Sequence, residues 1–475
     1  MRASKRQAIQ AAGANFLNKY YAGLSPQERA LIEIDAYLKA APFPTDPYTH
    51  AIGGLSTSRA IPYEVCDTGK NIGLPKGNDG YAYGRYTDSD AQVALEKAIS
   101  FIAQGEPTGY ITGATGQPYE RPLAVVTPAG MSALKLVFDL LQYKADKRDI
   151  SIIVAPDDLY GGTRSLINQM GIKVEYAKDT TEAALQEAYN KQGGKTAAII
   201  FEALTNPFAH VADVDTIVRF AKERNIITVA DGTLAPLSRP VLRGVDIDTV
   251  SLTKYYDENT AILGAIIVNG ARPDLLQLLI ALRNTSGAIP GALEVQLAMN
   301  NITTMVPSYK THSKNAQELA AWLLQQPQIA KVYYPGFGED AQTALADKYL
   351  GNLRGGLMTI DLKGGKPAAE AFTKSTKVPL AGYCENLTDK DRRFIRVADS
   401  FGLSVTLVNY MSTQMSRYRT MSEEQCAAVG ITGGTLRVAV GTQDAGLIIG
   451  AFAQALAAIP GNLYQAPRQR RNLSL

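Results

Sequence analysis

Cysteine, histidine and tryptophan are scarce in this sequence. Its 475 residues include three cysteines, three histidines and one tryptophan. Cys66, Cys384 and Cys426 lie far apart and form no Cys-x-x-Cys pair, which argues against a disulfide framework and against a zinc site. We therefore expect a protein without a metal centre, in a reducing, cytoplasmic compartment.

The sequence also lacks an excess of charge of one sign and a long apolar run. Its 48 basic and 45 acidic residues give a formal net charge of +3 and are spread along the chain. Without a basic surface, a nucleic-acid partner is not expected. No run of about 18 apolar residues occurs, and no apolar segment follows the basic start, so neither a membrane span nor a secretion signal is expected.

The sequence does contain short β-branched runs that alternate with amphipathic stretches. Hydrophobic residues make up 46% of the chain, which at this length is enough for two or three folded domains. The alternation is typical of parallel βαβ units and predicts an α/β fold with a large, mostly parallel sheet. The expected strands are 124–127, 151–155, 197–201, 226–230, 249–252 and 265–268. Residues 113–121 are interpreted as a polar loop.

Changes in this pattern divide the chain into three regions. Residues 1–80, with helical stretches at 5–21 and 26–40, are interpreted as an N-terminal arm. Residues 81–305 carry the βαβ pattern and are the expected large domain. Beyond them, a helical stretch and expected strands at 330–334 and 355–361 predict a smaller C-terminal α/β domain over residues 306–475.

An acid and a lysine follow two of the expected strands. Asp231 comes directly after one strand, and Thr253 and Lys254 follow another. Because the carboxyl ends of parallel strands share one edge of a sheet, the acid and the amine should meet there. Pyridoxal-5′-phosphate (PLP) requires such a pair, a lysine to form an imine and an acid to keep the ring nitrogen protonated. Taken alone, these residues would more often be solvated turn residues.

Nearby hydroxyl groups make the PLP interpretation more specific. Ser251 and Thr253 lie beside Lys254, and Ala129–Ser132 forms a strand-to-helix junction. The N-terminal amides of a helix at that junction would bind a phosphate group. A phosphate site beside an imine-forming lysine is a much rarer combination than either feature alone.

A series of motifs resembles one known family. In chain order the motifs are Tyr83-Gly-Arg85, Ala129-Gly-Met131, Asp158-Leu-Tyr-Gly-Gly-Thr163, Glu202 with Asn206-Pro207, Asp231-Gly-Thr233, Ser251-Leu-Thr-Lys254, Ser400-Phe-Gly402 with Thr406-Leu407, and Leu436-Arg-Val-Ala-Val-Gly-Thr-Gln-Asp444. From about Tyr83 to Ala457 they resemble the Cys/Met-metabolism, cystathionine γ-synthase/γ-lyase-like family of PLP-dependent enzymes. The resemblance implies the PLP-dependent transferase fold type I, with PLP bound to Lys254 as a Schiff base.

The resemblance implies a phosphate site that two subunits share. The residues that would bind the phosphate within one subunit are Gly130, Met131, Ser251 and Thr253. Tyr83 and Arg85 would reach the phosphate held by a neighbouring subunit. The active unit would then be a homo-oligomer, either a dimer or a tetramer built from two dimers.

The resemblance also implies roles around the cofactor ring. Tyr160 would stack on the ring and take part in catalysis. Asn206 would bond the ring hydroxyl oxygen, while Asp231 would pair with the ring nitrogen. Thr233 would lie beside Asp231.

On the substrate side, the resemblance implies a site for a small amino acid. Arg437, with help from the backbone near Ser400, would bind the α-carboxylate through paired hydrogen bonds. Lys254 would remove the α-proton, because burial and nearby positive charge lower the pKa of a lysine toward neutrality.

Several segments depart from the family pattern. Residues 258–261 read Glu-Asn-Thr-Ala where the family has Gly-His-Ser/Thr-Asp, and residues 87–90 replace its Asn-Pro-Thr. Residue 232 is Gly within the Asp-Asn-Thr motif, and residues 409–416 replace a stretch that contains His-Pro. Substrate-facing positions therefore differ while cofactor-facing positions persist, which favours a specialised branch of the family.

Two activities within the family remain open. One is γ-elimination on a γ-substituted L-amino acid, with the conversion of 4-chloroallylglycine to propargylglycine, a terminal-alkyne amino acid, as the leading specific hypothesis. The other is γ-replacement or γ-lyase chemistry on an O-acylhomoserine or on cystathionine.

Two other classes of protein fit the sequence less well. A nucleotide-binding oxidoreductase would share the βαβ pattern, but no Gly-x-Gly-x-x-Gly follows an expected strand. A catalytically inactive homologue would be expected to have lost Lys254 or Asp231, and the sequence contains both. Catalysis is therefore the favoured interpretation.

Overall fold

The computed structural model describes most of the chain. The described residues are 31–34, 60–62, 81–83, 90–112, 118–145, 150–156, 158–338, 340–376, 394–411 and 422–464. The helix expected at 5–21 lies outside them, and of the one expected at 26–40 the described part, 31–34, is helical. Arg85 lies outside the described residues, so its expected role stays a prediction.

Two short antiparallel strand pairs precede the main sheet. Strand β1 (Ala60–Pro62) pairs with β2 (Tyr81–Tyr83), and β3 (Thr108–Thr112) pairs with β4 (Pro118–Pro122). Strand β4 corrects the expected polar loop at 113–121, whose last residues are paired. Its Pro, Glu and Arg residues show no apolar alternation, so nothing in the sequence pattern marks this strand, which pairs with β3.

Seven strands form the large sheet. They are β5 (Ala124–Thr127), β6 (Ser151–Val154), β7 (Lys173–Tyr176), β8 (Ala198–Glu202), β9 (Ile227–Asp231), β10 (Ile247–Ser251) and β11 (Gly264–Val268). Their order is β5-β11-β10-β9-β8-β6-β7, and β11 alone among them runs antiparallel to its neighbours. The expected mostly parallel sheet is confirmed, although β7 was missed because this partly buried edge strand is short and has no continuous apolar run.

Helices cover both faces of the large sheet. They are α1 (Asp90–Gln104), α2 (Gly130–Lys144), α3 (Gly161–Gln169), α4 (Glu182–Lys191), α5 (Val214–Glu223), α6 (Pro273–Ser286) and α7 (Ala292–Asn301). Consecutive strand residues, such as Ile199 and Ile200, pack into two different hydrophobic cores. Burial on both faces explains why the central strands read as nearly continuous apolar runs.

Five strands form a second, mainly antiparallel sheet. They are β12 (Ile329–Tyr333), β13 (Leu357–Leu362), β14 (Ile395–Val397), β15 (Thr406–Tyr410) and β16 (Thr435–Ala439), in the order β12-β13-β16-β15-β14. The helices of this region are α8 (Met305–Leu323), α9 (Asp340–Tyr349), α10 (Gly365–Ser375), α11 (Glu423–Ala428) and α12 (Ala445–Ala457). Helices α8, α10 and α12 pack with this sheet in a third core.

The second sheet lies against the carboxyl-terminal edge of the first. The Thr359 hydroxyl donates to the Pro207 carbonyl at 2.7 Å, and the Gly356 amide donates to the Tyr255 hydroxyl at 3.0 Å. The expected boundaries at 80/81 and 305/306 stay predictions; the β1–β2 pair spans the first, and α8 begins at the second. Among the helices that the structure describes, none has the length and apolar character needed to cross a membrane.

Candidate active site

A cavity of about 330 Å³ lies between the carboxyl ends of the parallel strands and the second sheet. The expected site residues that line it are Gly130, Met131, Tyr160, Asn206, Asp231, Thr233, Ser251, Thr253, Lys254, Ser400 and Arg437. They come from segments spread over some three hundred positions of sequence, from 130 to 437. Tyr83 ends strand β2, and its expected role at the phosphate stays a prediction.

Parallel pairing of β9 and β10 brings the acid and the lysine to one edge. Asp231 ends β9 and lies opposite Thr249 of β10, two residues before that strand ends at Ser251. The Thr233 amide donates to Asp231 Oδ1 at 3.0 Å, and the Thr233 hydroxyl accepts from the Ser251 amide at 2.9 Å. Thr233 thus ties the acid to the strand that leads into Lys254.

Burial dominates the electrostatics of Asp231. It raises the pKa of the carboxyl group, and hydrogen bonds from Thr233 lower it by a smaller amount. In the described part of the chain no cation forms an ion pair with Asp231. A desolvated carboxylate in this position favours a cationic partner such as a protonated ring nitrogen.

Lys254 carries an amine whose proton is weakly held. Burial and the positive charge of Arg437 lower its pKa, and the charge of Asp399 partly opposes them. Its Nζ donates to the Ser400 hydroxyl at 3.0 Å and lies 5.0 Å from the centre of the Phe401 ring. A larger neutral fraction is what a nucleophilic or basic lysine requires.

The junction between β5 and α2 has the properties of a phosphate site. Helix α2 begins at Gly130, and its N-cap residue, Ala129, supplies no side-chain cap for the first amides of the helix. A Cβ atom at Gly130 would lie 3.0 Å from the Ser251 Cβ, so glycine keeps this corner open. The Thr253 hydroxyl already donates to the Leu263 carbonyl at 3.2 Å and accepts from the Leu263 amide at 3.1 Å.

Glu202 bonds two backbone amides on the side of the cavity where Tyr160 lies. Its carboxylate, at the end of β8, accepts from the Tyr160 amide at 2.6 Å and from the Asn206 amide at 3.0 Å. Burial raises its pKa well above the usual range, with the charge of Asp231 adding to the rise. The Asn206 Oδ1 atom is buried and has no hydrogen-bond partner among the described residues.

The position of the Tyr160 ring depends on a glycine two residues later in the chain. A Cβ atom at Gly162 would lie 2.4 Å from the Tyr160 Cε1. The ring can therefore fold back over the start of α3, and its side faces the cavity with 45% of the residue exposed. This explains the physical need for glycine at position 162.

Arg437 projects from the second sheet and is buried. It is 3% exposed, on β16, and its guanidinium donates to Asp399 Oδ1 at 2.6 Å. Its Nε has no hydrogen-bond partner among the described residues. The Asp399 side chain is 54% exposed, so a second carboxylate can reach the same guanidinium.

These residues fit PLP. They supply an amine, an unpaired buried acid, helix amides next to a serine hydroxyl, an aromatic ring and an unsatisfied Asn206 oxygen. No group of residues suited to a metal ion occurs within the described ranges.

Comparison with known proteins assigns the chain to a family. The family model described as Cys/Met metabolism PLP-dependent enzyme matches residues 54–457. The chain belongs to this family. It is a cystathionine γ-synthase/γ-lyase-like enzyme that depends on PLP, and the fold and cofactor expected from the sequence are confirmed.

Individual relatives are distant but cover most of the chain. Cystathionine β-lyase of Coxiella burnetii is 28% identical over 376 residues, covering 78% of this chain and 86% of that protein. Cystathionine γ-synthase of Escherichia coli is 26% identical over 385 residues, covering 77% and 92%.

Solved structures show the same fold. A cystathionine γ-lyase of Micromonospora echinospora superposes with a TM-score of 0.66 at 25% identity, covering 85% of this chain and 97% of that one. A cystathionine γ-synthase of Xanthomonas oryzae, solved with cystathionine, gives 0.69 at 22% identity, covering 90% and 99%.

For three residues at or near the site, the sequence patterns predicted no role. Glu202 occurs within a motif already noted, so its position at a strand end was an available signal. Asp399 precedes Ser400, and an acid beside an expected substrate residue was a second signal. Asn259 contacts Ser400 from a segment that departs from the family pattern, and nothing in the sequence indicated that contact.

Proposed function

We propose that the enzyme catalyses γ-elimination on a γ-substituted L-amino acid, with 4-chloroallylglycine as substrate and propargylglycine and HCl as products. The observation that carries this proposal is the contrast between the two sides of the cavity. The residues expected to bind the cofactor line the cavity at the strand ends, whereas the segment Glu258–Ala261, which contacts the cavity residue Ser400 through Asn259, departs from the family pattern.

The strand-end residues account for cofactor binding. Lys254 would form the covalent link, Asp231 would pair with the ring nitrogen, and Asn206 would bond the ring hydroxyl oxygen. Gly130 and Met131 would contribute helix amides to the phosphate. Bound PLP supplies an electron sink that stabilises negative charge at the substrate α-carbon.

Further side chains complete this proposed binding mode. Ser251 and Thr253 would add hydroxyl groups at the phosphate, with Thr253 needing to share a hydroxyl that now bonds the Leu263 backbone. Tyr160 would cover the ring, and Thr233 would hold Asp231 in place through its amide.

Lys254 is suited to move the substrate protons. Its pKa is lowered by burial and by Arg437, so a neutral amine is present at lower pH than for a solvated lysine. Once freed from the cofactor, the amine can take the α-proton and transfer it to another atom of the substrate. Tyr160 would help to orient the reacting atoms.

Arg437 would bind the substrate α-carboxylate. The guanidinium is buried and pairs with the half-exposed Asp399. A substrate carboxylate that displaces Asp399 would gain paired, charge-assisted hydrogen bonds, and the Ser400 segment would border it.

We also infer that the active unit is a homo-oligomer located in the cytoplasm. Tyr83 and Arg85 would then approach the phosphate of a neighbouring subunit, and the β1–β2 pair would carry Tyr83 there. Sedimentation of the purified enzyme at several concentrations tests the oligomer, and a monomer would contradict it.

Product analysis tests the proposed reaction. Purified enzyme with PLP should release chloride and propargylglycine in equal amounts from 4-chloroallylglycine, measured by mass spectrometry and a chloride assay. Lys254→Ala is the control and should release neither. If the native enzyme releases neither product while it turns over another γ-substituted amino acid, this substrate assignment is wrong.

A second candidate is γ-replacement or γ-lyase chemistry on an O-acylhomoserine or cystathionine. It is supported by the relatives named cystathionine γ-synthase and γ-lyase. Release of the acyl group, or formation of 2-oxobutyrate, in the same assay would favour it over the chloride elimination.

A further inference from the structure

Ser400 is hydrogen-bonded on two sides. It accepts from Lys254 Nζ at 3.0 Å, and its own hydroxyl donates to Asn259 Oδ1 at 2.6 Å. The three residues come from two loops, 252–263 in the large-sheet region and 398–405 in the second-sheet region. They form a chain of two hydrogen bonds that runs away from the lysine.

The direction of this chain follows from the amide of Asn259. Its Nδ2 donates to the Phe401 carbonyl at 2.8 Å, which leaves Oδ1 as the atom that faces Ser400. An amide oxygen only accepts, and a serine hydroxyl has one hydrogen. The Ser400 hydrogen is therefore directed to Asn259, so towards Lys254 the hydroxyl can only accept.

This direction affects the lone pair of the Lys254 amine. When Ser400 only accepts, a neutral Lys254 uses one of its N–H groups in the contact and keeps its lone pair unoccupied. Without Asn259, the Ser400 hydroxyl could turn and donate to that lone pair. A lone pair engaged in this way is a weaker nucleophile and a weaker base.

The backbone around Asn259 holds it in place. Asn259 has φ +64°, its amide donates to the Thr253 carbonyl at 2.7 Å, and asparagine tolerates this left-handed conformation well. On the other loop, Gly402 has φ +78°, and a Cβ there would lie 2.7 Å from the carbonyl carbon of Lys254. Close backbone packing thus fixes both ends of the hydrogen-bond chain.

We propose that Asn259 is a positioning residue for Lys254, which acts through Ser400 by making that hydroxyl an acceptor only. It does not touch the reacting atoms. The inference rests on the proposed role of Lys254 as the reactive amine, but not on the identity of the amino-acid substrate.

The reactivity of Lys254 towards acetic anhydride tests this inference. In full-length protein prepared without PLP, the labelling rate of the Lys254 peptide is followed by mass spectrometry as a function of pH. Asn259→Gly removes the side chain and tolerates the positive φ. It should lower the limiting rate at high pH by roughly three- to tenfold, the size expected for one hydrogen bond.

Three companion variants make the result specific. Asn259→Asp keeps an oxygen acceptor for Ser400 and should hold the limiting rate within roughly twofold of the native value. In a Ser400→Ala background, Asn259→Gly should have no further effect, because the intermediate hydroxyl is gone. Asn301→Ala removes a side chain that donates to Asp257 at 2.8 Å in the same loop, and it should leave the rate unchanged.

The opposite results would overturn the inference. An unchanged or faster labelling rate in Asn259→Gly would mean that Asn259 only anchors the loop, as would an equal fall in Asn301→Ala or in the Ser400→Ala background. Failure of the proposed elimination reaction leaves this test intact, because labelling needs neither PLP nor an amino-acid substrate.

Discussion

The two sides of the cavity are built in different ways. On the side of the large sheet, the functional groups follow strand ends, and backbone amides hold them; the amides of Tyr160 and Asn206 both donate to Glu202. On the side of the second sheet, contacts between side chains predominate, as between Arg437 and Asp399.

This difference indicates where the enzyme can change its specificity. Groups held by backbone amides at strand ends depend on the sheet register, and a change there disturbs the fold. Loop side chains that bond each other can be exchanged at small cost to the fold. The departures from the family pattern include the loops at Glu258–Ala261 and beyond Phe401, while Gly232 is a departure at a strand end.

The largest expected effect tests the strand-end side. Lys254→Ala should lower turnover of any substrate by roughly a thousandfold or more, because it removes both the cofactor link and the base. Borohydride should no longer attach a PLP mass to the protein. Circular dichroism of the variant should match that of the native enzyme. A variant that still retained PLP covalently would contradict the assignment of this lysine.

The second-largest expected effect concerns the side of the cavity that the second sheet forms. Arg437→Lys keeps the positive charge but loses the paired geometry. KM for the amino-acid substrate should rise roughly ten- to hundredfold, the effect of one charged hydrogen bond of about 1.5 to 3 kcal/mol. The affinity for PLP should change little. A fall in PLP affinity with an unchanged KM would contradict the assignment of Arg437 to substrate binding.

A smaller effect is expected at the turn after Tyr160. Gly162→Ala would put a Cβ 2.4 Å from the Tyr160 ring, so the ring must move. PLP affinity, measured by fluorescence titration, should fall roughly tenfold, in line with a cost of about 1 to 3 kcal/mol for overpacking. Gly450→Ala is the matched control, since a Cβ at Gly450 meets no atom within 4 Å. Equal affinities in the two variants would contradict the packing argument.

The smallest effect concerns the body of the large-sheet region, remote from the cavity. Burial by itself raises the pKa of Asp274, but hydrogen bonds from Arg272 and Lys144 outweigh it and lower the pKa to about 2. Asp274→Asn should therefore reduce the free energy of unfolding at pH 7 by less than about 1 kcal/mol, since the group is largely exposed. Turnover should be unchanged.

The pH dependence of that loss has a definite sign. A carboxyl group with a lowered pKa in the folded state stabilises the protein above its unfolded pKa of about 3.9. The difference between native enzyme and Asp274→Asn in urea unfolding should therefore shrink as the pH falls from about 4 towards 2. A difference that persisted undiminished would mean that the ion pairs are not its source.

Sequence patterns predicted the central part of the fold well and its margins poorly. The strands around Ile152 and Val229 were found because both faces of the sheet are buried, which leaves continuous apolar runs in the sequence. The edge strand β7 and the strand β4 were missed. Each pairs with a neighbouring strand, and neither has a fully apolar run to mark it.

For the site, the sequence by itself predicted which residues would lie together around one cavity. Asp231 and Lys254 follow recognisable strands, and parallel strands must end at a common edge. The grouping of these residues with Gly130 and Ser251 around one cavity therefore follows from local patterns and from the rules of sheet topology.

Only the tertiary structure decided how the second sheet completes the cavity. The contacts of Asn259 with Ser400 and of Asp399 with Arg437 join residues that are distant in sequence or lie on different strands and loops. The first contact depends on how the two sheets pack together, and the second depends on the order of strands within the second sheet; neither leaves a periodic trace in the chain. For this reason the place of Lys254 in the cavity could be predicted from the sequence, whereas the contacts of Ser400 with Lys254 and with Asn259 could not.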